Sequence, residues 1–223
     1  MGSFKLFYPH LVRNEGGYAN NKLDVGGETY RGVARKYHPN WQGWKYVDAY
    51  KKEWLAAGKK LNTRTEWAAF SKVLYKDPHL ENSLLNFYES LYWDSLHLDL
   101  VANQSVAESL ADMGVNAGTG RIGWMVQYVL RFHFGRLDLD FDGDIGPQTL
   151  KALNAVNQAN FHARFAQLRN DFYRYRSGEY ENESRLLGVH QFLRNKLKLK
   201  TNTSQKVFLN TWLKRVSDMK YKD

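Results

Sequence analysis

Apolar residues recur every three or four positions along most of this chain, the spacing that lays one hydrophobic stripe down a helix. Phe4, Phe7, Tyr8, Leu11 and Val12 share a face of a first helix. Ser3 is placed to cap it, Pro9 to kink it or begin its ordered part, and Gly16-Gly17 to stop it. Residues 46–57 predict a second helix ending at Gly58, a C′ position. Thr65 is expected to cap a third running to about Lys76, and Pro78 opens a fourth carrying Leu80, Leu84, Leu85, Tyr88, Leu91 and Tyr92. Further helices are predicted over 105–117, 121–134, 147–156, 158–175 and 204–219, with loops at Asp138–Pro147 and at 177–185. The helical period breaks over residues 23–34, where Val25, Thr29, Tyr30 and Val33 lie among glycines and read as a short β-hairpin or irregular sheet. The expected fold is mainly α, with one small β-hairpin near the N-terminus.

Composition narrows the chemistry. The 223 residues, 43% hydrophobic, make one large domain or two small ones joined closely. The chain has no cysteine, which removes disulfides, thiolate zinc sites and cysteine nucleophiles together. The seven histidines are scattered and form no compact zinc spacing, so no metal and no cofactor are expected. Asp138, Asp140, Asp142 and Gly143 copy the first half of an EF-hand loop, but Thr149 stands where its bidentate glutamate belongs. A capped turn is the better reading there. The net charge of +9 favours a polyanionic partner, whether nucleic acid, anionic lipid or bacterial cell wall. No nucleic-acid reading motif is present, and the lysines after residue 195 read first as a solvated face. No apolar run approaches the roughly 20 residues that span a bilayer, so no stable membrane anchor is expected. Lys5, Pro9 and His10 interrupt the start in a way that a secretory signal would not.

The segment EGGYANNKLDVGGET, residues 15–29, carries the candidate chemistry. Glu15 stands at the end of the first helix, Asp24 in a glycine-rich turn, and Thr29 on the β element. Glycosidic cleavage needs one protonated carboxyl to donate to the leaving oxygen, and a second group to hold water or stabilise positive charge on the sugar. The negative end of a helix disfavours an ionised Glu15, and packing against a ring such as Tyr18 adds desolvation; both suit a general acid. Asp24, in a solvated turn, stays ionised, so two carboxyls in unlike settings divide the work. The Gly16-Gly17 and Gly26-Gly27 pairs allow tight turns beside a bulky sugar.

Glu15-Gly16-Gly17-Tyr18, Asp24, Gly26-Gly27, Thr29 and Gly32-Val33 together resemble the opening of the N-acetylmuramidases of glycoside hydrolase family 108, which includes phage endolysins and bacterial secretion activator proteins. The order of Glu, Asp and Thr is also similar to that of the T-even phage lysozymes. Downstream, Tyr92-Trp93-Asp94 and the stretch from Asp112 through Val115-Asn116 to Gly118 resemble further family motifs. The run Asp142-Gly143 to Leu150 resembles the signature of the family's C-terminal peptidoglycan-binding domain. Phe208 to Val216 resembles its closing motif, with Thr211 in place of the family's glycine.

The resemblance implies a lysozyme-like catalytic part over residues 1–125 and a helical peptidoglycan-binding part over 126–223 packed closely on it. It implies hydrolysis of the bond between N-acetylmuramic acid (MurNAc) and N-acetylglucosamine (GlcNAc), with Glu15 as acid and Asp24 and Thr29 positioning water or stabilising charge; the likeness to the T-even lysozymes further implies water held by Asp24 and Thr29 and inversion at the anomeric carbon. Tyr18, Tyr30, Trp41, Trp44 and Asn116 are the candidate sugar contacts. The expected partner is the peptidoglycan glycan strand, and the expected place of action the cell wall or periplasm, reached from the cytoplasm without a recognisable signal peptide. A lytic transglycosylase and a non-catalytic secretion or wall-binding factor are the alternative readings.

Overall fold

The computed structural model describes residues 1–21, 27–179 and 187–223, excluding the side chains of Asn14 and Leu187. It is mainly helical, lysozyme-like in class, with one small antiparallel sheet near the N-terminus. The chain divides into two compact units, one of residues 4–91 and one of residues 1–3 with 92–223. That boundary falls inside the span expected to form the catalytic part.

The first unit begins with α1 (Phe4–Asn14), which buries Phe4, Phe7, Tyr8 and Leu11 and carries Pro9 within it. Three short strands follow: β1 (Tyr18–Asn20), β2 (Glu28–Tyr30) and β3 (Val33–Ala34), paired antiparallel in that order. The expected hairpin is β2–β3, and β1 adds a third strand before the predicted segment begins. The register sets Tyr18 opposite Tyr30 and Tyr30 opposite Val33. These three side chains share one buried face, while Ala19, Thr29 and Ala34 share the other.

Helix α2 (Trp44–Ala56) starts two residues before its predicted span. It ends with a Schellman pair of bonds, Gly58 N–H to Leu55 O and Lys59 N–H to Trp54 O. Helix α3 (Arg64–Leu74) is capped by Thr63 rather than Thr65. The reason is a capping box: Thr63 Oγ1 accepts from Glu66 N–H, and Glu66 Oε2 accepts from Thr63 N–H at 2.9 Å and from Asn62 N–H at 2.6 Å. Helix α4 (Pro78–Tyr92) buries Leu80, Leu84 and Tyr88.

In the second unit, α5 (Gln104–Ala117) is buried along most of its length. Helix α6 (Ile122–Phe134) follows, then α7 (Pro147–Ala155) and α8 (Gln158–Ser177). Helix α9 (Leu187–Asn195) is not among the predicted elements, and the predicted last helix is a 3-10 turn over Thr203–Phe208 leading into α10 (Leu209–Asp218). The loop predicted over 177–185 lies for the most part outside the described residues. Helix α8 packs against α5, α6 and α10.

One buried ion cluster ties these helices. The Asp112 carboxylate on α5 receives Arg169 of α8, fully buried, and Arg215 of α10, whose Nε donates at 2.7 Å. Arg169 also donates to Ser109 Oγ at 3.0 Å. Asp112 and Arg215 belong to two of the motifs that carry the family resemblance, and they meet here.

The acidic loop before α7 is keyed by one side chain. Gln127 Nε2 donates to Asp142 Oδ1 at 2.7 Å and Asp144 O at 2.9 Å, while its Oε1 accepts from Gly143 N–H at 2.8 Å. The Gln127 bond to Asp142, followed by the Asp144 N–H, holds that carboxyl below its usual range. A Cβ at Gly123 would overlap the Gly143 carbonyl, so loop and helix meet backbone to backbone. Among the described residues no cluster of three metal-ligating side chains occurs, and no helix is long and apolar enough to cross a membrane.

Removing a partner from a buried pair leaves a charge stranded, at a cost of roughly 3–5 kcal/mol. Asp112→Ala therefore lowers unfolding stability by about 3–5 kcal/mol, measured as the shift in urea midpoint of the purified protein. A loss below about 1 kcal/mol, the value of an exposed pair, would contradict a structural role for this cluster.

Candidate active site

The site is built on the turn of the β2–β3 hairpin. Tyr30 pairs with Val33, leaving Arg31 and Gly32 as the two turn residues, with φ of 41° and 79°. Two central residues at positive φ mark a type I′ turn, whose twist matches that of the flanking strands. Glycine adopts this conformation freely, but for an L-residue with a side chain it costs roughly 1–2 kcal/mol.

Arg31 is held there at every polar group. Its N–H donates to Gly17 O at 3.2 Å, and its carbonyl accepts the Tyr88 hydroxyl of α4 at 2.8 Å. Its guanidinium pairs with Glu81 of α4 at 2.8 Å and lies 4.3 Å from the centre of the Tyr75 ring, at the C-cap of α3. Glu81 also accepts the Tyr8 hydroxyl of α1 at 2.9 Å. Burial, and then the bond to Glu81, raises the Tyr8 phenol well above its usual range, so it stays a neutral donor. Several helical and strand elements thus converge on one turn.

Glu15, the first residue beyond α1, is half-buried and sits over this turn. A methyl group built on Gly32 would come within 2.5 Å of Glu15 Oε2 and 3.1 Å of its Cδ, and would overlap the Tyr88 hydroxyl. The missing side chain at position 32 is what lets carboxylate and phenol close in on the same point. Tyr88 itself is buried.

The other residues singled out by sequence separate into groups. Thr29 lies on the central strand β2, half-buried, on the face opposite the core, with Oγ1 3.4 Å from Gly27 O. Its backbone is three residues from Gly32, at most about 10 Å of chain. Asp24 lies outside the described residues. Asn116 is on α5 in the second unit, where its Nδ2 donates to Asp112 O at 2.7 Å, the satisfied turn-side role that competed with sugar contact.

The aromatic candidates are mostly core. Tyr30 is fully buried, its ring 6.3 Å from that of Trp41. Trp44 is buried too, with Nε1 bonded to His38 O at 2.8 Å and the Arg35 guanidinium over its ring. Tyr18 is buried edge-on against Phe70 and donates its hydroxyl to Glu28 at 2.7 Å. Trp41 is half-buried and donates to Ser83 O. Tyr30 and Trp44 as groove-lining rings are therefore corrected, whereas Tyr18, though largely buried, also lines a hollow beside α3. A cluster of rings after a catalytic motif is equally what a small sheet needs to pack on helices, and here packing takes them.

Glu28 is the one other carboxylate beside Thr29 in the described part of the hairpin. Tyr18, Lys51 at 2.7 Å and Arg35 at 2.9 Å surround it, and its side chain is 11% exposed. Its oxygens are occupied by structural donors, whereas Glu15 is placed at the turn with Tyr88. Sequence reasoning missed Tyr88, Arg31 and Glu81 as site residues; Tyr88 reads there only as an apolar position of α4. The available signal was that a phenol on a buried stripe needs a partner for its hydroxyl.

Residues 8–118 match the family model of Glycosyl hydrolase 108. Among solved structures, that of SagA from Brucella abortus is similar in fold, with a TM-score of 0.53 and 20% identity over 97% of this chain and 90% of that one. No curated protein matches the sequence significantly. The motif of Glu15, Gly17, Thr29 and Gly32, the hairpin it folds into and the family match all fall in one stretch, and the chain carries a glycosyl hydrolase 108 domain across residues 8–118.

Proposed function

We propose that this protein is an N-acetylmuramidase, hydrolysing the MurNAc–GlcNAc bond of peptidoglycan, with Glu15 as the general acid. The observation that carries the reading is the packing of the Glu15 carboxylate over Gly32 beside the Tyr88 hydroxyl. Tyr88 donates its only hydroxyl proton to Arg31 O.

In the proposed reaction Glu15 delivers that proton to the glycosidic oxygen as the bond from C1 to this oxygen breaks. A water held by Asp24 and Thr29 attacks C1 from the opposite face, leaves a reducing end of inverted configuration and gives up a proton to the carboxylate. Thr29 supports this role by facing away from the core on the same hairpin that carries Glu15 over its turn. Of the sugar contacts expected from sequence, Trp41, half-buried in the first unit, is retained in this proposal. Residues 126–223 are proposed as a peptidoglycan-binding part, on the strength of the Asp142–Leu150 motif and the basic C-terminal segment. Lysis and secretion-linked wall remodelling both use this chemistry.

Three outcomes follow. Digestion of purified sacculi yields muropeptides with reducing MurNAc ends; anhydro ends in mass spectra would replace hydrolysis by transglycosylation. Glu15→Gln keeps the fold by circular dichroism and lowers the rate of reducing-end release by at least about 100-fold, the lower range for loss of a general acid. Gly32→Ala forces a side chain into the space shared by Glu15 and Tyr88. It should cost about 1 kcal/mol or more in stability and about 100-fold in turnover, the scale of a displacement near 1 Å. Unchanged turnover in Gly32→Ala would remove the turn from the mechanism.

A further inference from the structure

A hollow of about 540 Å³ opens between β1 and α3, entirely within the first unit, and its rim begins at Gly17. Arg64, Ala68, Lys72 and Tyr75 present one exposed stripe of α3 to it, at the spacing of three or four residues that stacks side chains along a helix. Trp67 closes the wall, its Nε1 fixed to Leu61 O at 2.8 Å. Tyr75 is held by the Arg31 guanidinium at 4.3 Å, so both rings are set in place before any ligand arrives. Ser71 is already used, accepting Tyr18 N–H at 2.8 Å and donating to Trp67 O at 2.7 Å. Arg64 and Lys72 form no ion pair among the described residues. The hollow therefore offers two uncommitted cations, two rigid rings and a strand edge.

We infer that this hollow binds the carboxylate-bearing peptide attached to the lactyl ether of MurNAc, and so selects peptide-substituted strands; the assignment rests on the muramidase reading. Distance supports the choice. Gly17 is two residues from Glu15, no more than about 7 Å of chain. Arg64 and Lys72 are eight residues apart on α3, or about 12 Å along its axis. An extended four-residue peptide spans about 14 Å, enough to cover the stretch of α3 between the two cations. Its carboxylates meet charges of opposite sign, and its aliphatic parts meet Trp67 and Tyr75. A bare glycan strand of alternating sugars has nothing anionic to place there beyond the lactyl group itself.

The test is calorimetric binding to the Glu15→Gln protein, which prevents turnover. The probes are the GlcNAc–MurNAc disaccharide with its tetrapeptide, the same disaccharide with the peptide removed, and a glutamate tetrapeptide. The peptide-bearing disaccharide should bind at least about tenfold tighter than the bare one, a difference of about 1.4 kcal/mol. Adding Arg64→Ala and Lys72→Ala together should abolish that difference while leaving affinity for the bare disaccharide unchanged. The charge-conserving exchange, Arg64→Lys combined with Lys72→Arg, should retain it. Both positions are exposed, so the fold survives the changes. Equal binding of the two disaccharides, equal weakening of both by the alanine pair, or equally tight binding of the glutamate peptide would each overturn the proposal. Failure of the enzymatic reading shows separately, as absence of reducing ends from sacculi with the unmodified protein.

Discussion

A single backbone conformation organises the first unit: Arg31 held at positive φ next to Gly32. The cost of that conformation in a residue with a side chain persists only where the surroundings over-determine it. Here they do, through Gly17, Tyr88, Glu81 and the Tyr75 ring. Each contact recruits a different part of the unit, so the turn is a junction as well as a corner. Helix α1 reaches it twice, through Tyr8 onto Glu81 and through Glu15 over Gly32. Loosening the turn would release the sheet, α4 and the candidate acid together.

The same junction distinguishes Glu15 from the carboxylates around it. Glu28 and Glu81 lie nearby in sequence or space, and each is saturated by cations and phenols. Such carboxylates hold a structure in shape. Glu15 instead lies over Gly32 beside the Tyr88 hydroxyl, which also bonds to Arg31 O.

Much of this was legible in the sequence because it depended on local rules. The stripe Phe4, Phe7, Tyr8 and Leu11 marked α1, and Gly58 marked the end of α2 through its two turn bonds. The Gly32-Val33 pair was visible as part of a motif, and its meaning became physical only when a carboxylate and a phenol were found where its side chain would be. What was hidden depended on tertiary choice. Thr63 and Thr65 both precede helical residues, and only the reach of Glu66 back to Thr63 decides between them. Tyr18, Tyr30 and Trp44 could line a groove or fill a core, and periodicity cannot tell which side of a three-residue strand faces inward. Asp112 and Arg215 stood in separate motifs 103 residues apart, and nothing in either announced that they would share one buried cluster with Arg169.

Both units use paired charges to hold their shape, and the first also carries cations that are not so used. In the second, Asp112 sits with Arg169 and Arg215 in a buried cluster, and Gln127 fixes an acidic loop whose aspartates otherwise imitate a metal site. Charge there maintains shape. In the first, Arg64 and Lys72 are exposed along a hollow and unpaired among the described residues, while neighbouring arginines are taken up by Glu81, Glu28 and Asp48. A helix that only covered the edge of β1 would need Ser71, which caps the Tyr18 N–H, and Phe70, which packs on the Tyr18 ring. It would have no use for two uncommitted cations flanking fixed aromatic rings. That excess beyond what packing requires is the physical reason to look for an anionic ligand on α3, and its starting point two residues from Glu15 is the reason to seek that ligand on the sugar.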